Sequence, residues 1–134
     1  MTTQANVQYG FGTRLDVPYA EAVERAKAAL KEQGFGVLTE IDVKATMQAK
    51  LGVDFQPYII LGACNPPFAA KALDAEASIG LLMPCNVVVR EDAAGGVHVE
   101  MLDPIALFEM AGRADVEPLA REVRARLDRA LAAV

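Results

Sequence analysis

The sequence predicts an α+β fold, a mostly antiparallel five-stranded sheet with long helices packed on one face. Three observations carry this. Two stretches, 19–30 and 116–131, repeat apolar residues at helical spacing with charged residues between them. Five short runs rich in β-branched and aromatic residues are bounded by Gly, Pro, Asn and Asp. The last two runs are joined by Asp92-Ala-Ala-Gly95-Gly96, a hairpin loop.

The elements follow in order. Val7 to Arg14 reads as a strand, with Val7, Tyr9 and Phe11 on one face. Asp16 and Pro18 announce a helix whose inner positions are Tyr19, Ala22, Val23, Ala26, Ala29 and Leu30. Gly34 is its expected C′ stop. Phe35 to Ile41 is a second strand. Asp42 caps a short helix with apolar Val43, Met47 and Leu51, ended by Gly52. Gln56 to Cys64 is apolar and rich in β-formers, so it reads as a buried strand. Asn65 is a candidate N-cap and Pro66 an N1 residue for a helix through Phe68, Ala69, Ala72 and Leu73. Residues 74–82 form a turn or second short helix that Pro84 ends.

Cys85 to Glu91 and Val97 to Leu102 are the fourth and fifth strands. Ile105 to Ala111 is a short helix or turn closed by Gly112. In the last helix Val116, Leu119, Val123, Leu127 and Leu131 face inward, with Asp115 as the expected cap. The resulting order is β-α-β-(α)-β-(α)-β-β-α. No linker or low-complexity segment interrupts it, so residues 1–134 read as one domain.

Composition removes several function classes. Hydrophobic residues at 53% and charged residues at 23% exclude a disordered chain. The net charge of −5 argues against nucleic acid and anionic membrane as partners. The segment 113–134 carries five arginines against four acids, which is a solvated helix face. No apolar run is long enough to span a bilayer, and Met1-Thr2-Thr3-Gln4 lacks the form of a signal peptide, so a cytoplasmic protein is expected.

Catalytic vocabulary is sparse. No Gly-x-Ser-x-Gly, Walker A or His-Glu-x-x-His word occurs. Ser78 is the only serine and His98 the only histidine, which argues against a catalytic triad. Glu40, Asp42 and Asp103 lie at strand ends, where Asp42 reads as a helix cap and Asp103 as a turn residue. Cys64, Cys85 and His98 would supply three metal ligands, but nothing places His98 beside the cysteines, so no metal and no cofactor is assigned.

The cysteines carry the candidate site. Cys64 ends one strand and Cys85 begins the next, and each is followed by asparagine. The excursion between them should return both Cys-Asn pairs to one end of the sheet. A reactive thiolate needs a cation or helix N-terminus beside it. The helix start after Cys64 could serve, as could Lys50 or Lys71. Asn65 and Asn86 could hydrogen-bond a ligand. The candidate ligand-binding set is therefore Cys64, Asn65, Cys85, Asn86, Lys50 and Lys71. The competing reading is structural, in which both cysteines pack as small hydrophobes and Asn65 is an ordinary cap.

Several words point to a family. They are Tyr58-Ile-Ile-Leu-Gly-Ala-Cys64-Asn-Pro-Pro-Phe and Ile79-Gly-Leu-Leu-Met-Pro84-Cys-Asn86-Val-Val-Val, with Gly34-Phe-Gly-Val-Leu-Thr-Glu-Ile-Asp-Val and Lys50-Leu-Gly. In these the chain resembles the domain of unknown function 302 family over nearly its whole length. The resemblance implies a small cytoplasmic prokaryotic protein, a fold like that of the TATA-binding protein and Bet v 1 group, and a homodimer. It implies no established activity, and the fold analogy does not extend to DNA binding. Two functional expectations follow. One is a dimeric module that binds a small apolar or mixed molecule near Cys64-Asn65 and Cys85-Asn86. The alternative is a thiol-dependent enzyme or redox sensor that uses Cys64 and Cys85.

Overall fold

A computed structural model describes residues 7–134. The Met1–Gln4 stretch, read as carrying no signal peptide, lies outside the described residues. Five strands form one antiparallel sheet: β1 (Gly10–Leu15), β2 (Gly36–Asp42), β3 (Tyr58–Cys64), β4 (Cys85–Glu91) and β5 (Val97–Leu102). Their spatial order is β1-β5-β4-β3-β2. The helices are α1 (Tyr19–Glu32), α2 (Val43–Leu51), α3 (Pro66–Ala75), α4 (Pro104–Ala111) and α5 (Glu117–Ala132). Short 3-10 turns follow α3 at Ala77–Leu82 and precede α5 at Ala114–Val116. The order and sheet type match the sequence expectation.

Because β1 and β2 are opposite edges of the sheet, α1 must cross one face to connect them. α5 lies beside it, and together they cover that face. The alternation of β4 and β5 supplies the floor of the core, with Val87, Val89, Val97, Val99 and Met101 all buried. Phe11, Leu61 and Ala63 complete it. Ala22, Ala26 and Leu30 of α1, with Leu127, Ala130 and Leu131 of α5, close it from above. The opposite parity places Arg14, Arg90, His98 and Glu100 on the other face. There Arg90 Nε donates to Glu100 Oε1 at 2.7 Å.

α1 ends in a Schellman arrangement that also builds the site. Gly34 takes φ +84°, the left-handed conformation that glycine tolerates best. The Gly34 and Phe35 amides then donate to the carbonyls of Lys31 and Leu30. The apolar partner of that motif, Phe35, is turned inward and buried.

Several boundaries and faces differ from expectation. β1 starts at Gly10, not Val7, and Tyr9 is 64% exposed. Its pairing partner β5 ends at Leu102, and the following Asp103 amide spends its one hydrogen bond on Tyr9 O (2.8 Å) before Pro104 turns the chain away. β3 likewise starts at Tyr58, two residues after Gln56. Pro18 stands at the N-cap of α1, with no side chain capping it. α2 is capped by Asp42, which accepts from Ala45 N at 2.9 Å, as expected. Yet it buries no residue, and Leu51 is 69% exposed. α2 follows an edge strand, so no second layer reaches its apolar side. Asp115 does not cap α5. Its carboxylate is held by Arg113 at 2.6 and 2.9 Å inside the preceding 3-10 turn.

Candidate functional site

The end of the sheet where β3 finishes and β4 begins is not closed by α1 and α5 alone. α3 leaves β3 there, the 77–82 turn returns there, and α4 packs against α5 beside it. Between them lies a cleft enclosing about 490 Å³, part of it open to solvent. It is narrow, with a cavity volume of about 40 Å³. Ala63, Cys64 and Cys85 form its sheet wall, while Phe68, Ala69 and Ala72 come from α3. Leu107, Phe108, Leu119 and Val123 form the α4 and α5 side, and Phe35 and Met83 close the ends. Among the described residues no charged side chain lines it.

The one polar amide in this wall is Asn65. It is 8% exposed, and as the N-cap residue of α3 it makes no capping hydrogen bond. Among the described residues its side chain has no hydrogen-bond partner at all. Among the described residues no side-chain nitrogen or oxygen that is fully sealed from solvent lacks a partner, so the amide keeps a small contact with solvent, and its Nδ2 lies against Gly34. An amide with no protein partner and little solvent contact leaves hydrogen-bonding capacity for a molecule beside it.

The two thiols are brought together as the topology argument expected. Ala63 pairs with Cys85 across β3 and β4, so Cys64 is its diagonal neighbour. Their environment does not activate them. Burial pushes the Cys64 thiol up, and burial followed by the nearby Cys64 raises Cys85 to about 11. The helix start that follows Cys64 gives little help. Pro66 and Pro67 have no N–H, and the Ala69 amide is taken by Asn65 O, which leaves only the Phe68 amide free in the first turn.

The other expected site residues lie elsewhere. Asn86 pairs with Gly62 and points to the exposed side of β4. Lys50 is exposed on α2, away from the cleft. Lys71 is exposed on α3 and does not line the cleft, but its Nζ sits 5.8 Å from the centre of the Phe68 ring, which does. Arg126 approaches the same ring at 5.1 Å. His98 Nε2 lies 2.7 Å from Asp92 Oδ2 in the β4–β5 hairpin, far from the cysteines in the sheet. Among the described residues no group of three or more His, Cys, Asp or Glu could hold a metal. Asp103 accepts from Ile105 N at 2.9 Å and pairs with Arg124 at 2.9 Å, so it is a cap and an ion-pair partner.

Sequence reasoning missed the far wall of the cleft. Leu107, Phe108 and Leu119 come from α4 and α5, which meet α3 only after the whole chain is packed. Their one signal was excess apolar content: Ile105, Leu107, Phe108 and Met110 crowd an eight-residue helix that fully buries only Pro104.

No helix among the described residues is long and apolar enough to cross a membrane. A search of curated proteins finds no match to this chain. Among solved structures, the crystal structure of an uncharacterized conserved DUF302 protein from Bacillus stearothermophilus superimposes with a TM-score of 0.86. It is 31% identical, and the alignment covers 94% of this chain and 98% of that one. The model of the domain of unknown function DUF302 matches residues 11–134. With the fold, the paired Cys-Asn words and these matches in agreement, the chain belongs to the DUF302 family.

Proposed function

We propose that this protein is a binding module that holds a small, mainly apolar molecule in the cleft beside Cys64, Asn65 and Cys85. The observation that carries the reading is the apolar cleft itself, whose wall includes the Asn65 amide with no protein hydrogen-bond partner among the described residues. A ligand that offers a hydrogen bond there replaces the amide's solvent contact and covers apolar surface together. The neutral thiols contribute polarizable packing at the sheet wall. The raised thiol pKa values speak against the alternative of a thiol-dependent enzyme, for which an activating cation would be needed. Two free thiols also suit a reducing cytoplasm.

The same reading includes a homodimer. Leu38, Ile41, Leu51, Val53 and Phe55 are all exposed on the β2 edge and the α2 segment that follows it. A second copy seated there would cover apolar surface that this chain leaves open. Native mass spectrometry of freshly purified full-length protein, before and after iodoacetamide, tests both parts. The expected result is a dimer with retained extra mass that alkylation displaces. A monomer refutes the dimer. Protein of bare chain mass that also fails to shift its melting temperature with any apolar small molecule refutes the binding module.

A further inference from the structure

At about 40 Å³ the cleft is too narrow to hold a ligand of the kind proposed above, so binding requires one wall to give way. Most of the wall is fixed. Phe35, Ala63, Ala72 and Val123 are buried, and the Phe68 ring carries Lys71 at 5.8 Å and Arg126 at 5.1 Å from its centre. The backbone of α4 is tied at both ends, by the Asp103 cap with its Arg124 ion pair and by the left-handed Gly112. Phe108, between these ties, is only half-buried. Among the described residues no cation or ring contact holds it. It is also the one described residue that borders both the cleft and a second, open depression of about 300 Å³ between α4 and the start of α5.

We propose that Phe108 gates the cleft, and that the ligand is a compact, single-ring apolar molecule that takes the place its phenyl ring vacates. The inference rests on the binding reading above. A helical phenylalanine has two favoured χ1 wells, near 180° and −60°. A step of about 120° between them moves the ring without moving the tied backbone of α4. Phe108 borders both spaces, so a ring withdrawn from the cleft enters the depression. The depression mixes apolar Ile105, Ala114 and Ala120 with charged Glu109, Arg113 and Glu117. The ring therefore rests toward the cleft, the drier and more apolar of the two surroundings. An entering ligand restores the apolar contacts that the ring gives up, and this shifts the population to the open state. A molecule of one ring matches the volume exchanged.

Isothermal titration of the full-length protein with p-cresol tests the gate. Phe108→Ala removes the ring that must be displaced and should tighten binding by about tenfold or more, because the competent state is then always populated. Ala114→Phe, at an exposed position outside the cleft, fills the depression and should weaken binding by about tenfold. The double variant should bind like Phe108→Ala, since no ring is left for the filled depression to block. An Ala114→Phe protein that binds like the wild type overturns the gate and leaves the cleft reading standing. A weakening that persists in the double variant does the same, because it would come from a change in the fold and not from the ring. Binding by Phe108→Ala with none by the wild type means that the ring does not leave, and it too overturns the gate. Failure of p-cresol to bind Phe108→Ala, whose cleft is already open, overturns the cleft reading together with the gate.

Discussion

Replacing Asn65 by leucine should make the protein more stable, and the sign of that change is the most direct test of the site. Asparagine at an N-cap normally accepts a hydrogen bond from its helix, and losing such a cap costs about 1 kcal/mol. Here the amide is over nine-tenths buried and makes no such bond. Its amide is left with only a small contact with solvent, so its desolvation is compensated in part and costs at most about 1–3 kcal/mol. Leucine has nearly the same branched shape, and φ −103°, ψ 103° at this position suits it. Asn65→Leu should therefore gain about 1–2 kcal/mol and raise the melting temperature by roughly 3–8 °C. The paired variant Asn65→Asp should lose several kcal/mol, because it places an ionised carboxylate against an apolar wall. If Asn65 were a structural cap, Asp would be nearly neutral and Leu destabilising. Urea titration at unchanged m-value reads both. A loss of stability in Asn65→Leu with a neutral Asn65→Asp would refute the reasoning, and with it the claim that the amide waits for a ligand.

Two further outcomes follow from the same geometry. Cys85, with its thiol pushed from 9.0 up to about 11, should hold about a hundredfold less thiolate at pH 8 than an unshifted thiol, so its alkylation should accelerate about tenfold per pH unit from 8 to 10. Peptide-resolved mass spectrometry reads the rate, and a plateau near pH 9 would contradict the burial argument. Leu127→Ala removes a fully buried side chain where α5 meets the core. It should cost about 3–5 kcal/mol in chemical denaturation, and a loss below 1 kcal/mol would mean that α5 is not part of the cooperative core.

Much of the fold was legible in local pattern. The 3.6-residue repeat of α1 and α5, the alternation of Val97, Val99 and Met101, the Gly34 stop and the Asp42 cap are properties of a few neighbouring residues, set by backbone geometry and short-range hydrogen bonds. The nearness of Cys64 and Cys85 was legible too, because one excursion must return its ends to adjacent strands. What local pattern could not decide was the partner of each face. Leu51 reads only as one of the apolar residues of a short helix, and the edge position of β2 leaves it uncovered. Asp115 reads as a cap until Arg113 takes its carboxylate. Lys50 and Asn86 read as site residues until the sheet turns them away from the cleft.

The amino-acid sequence by itself determined the element order, the antiparallel hairpins, the helix faces and the family, because each is written in spacing over a few residues. Only the tertiary structure decided that the Asn65 side chain makes no cap hydrogen bond, that α4 and α5 supply the far wall of a cleft, and that Lys71 stands over the Phe68 ring. Those facts depend on contacts between residues as distant in the chain as Phe35 and Val123, and no local preference encodes where a distant side chain will stop.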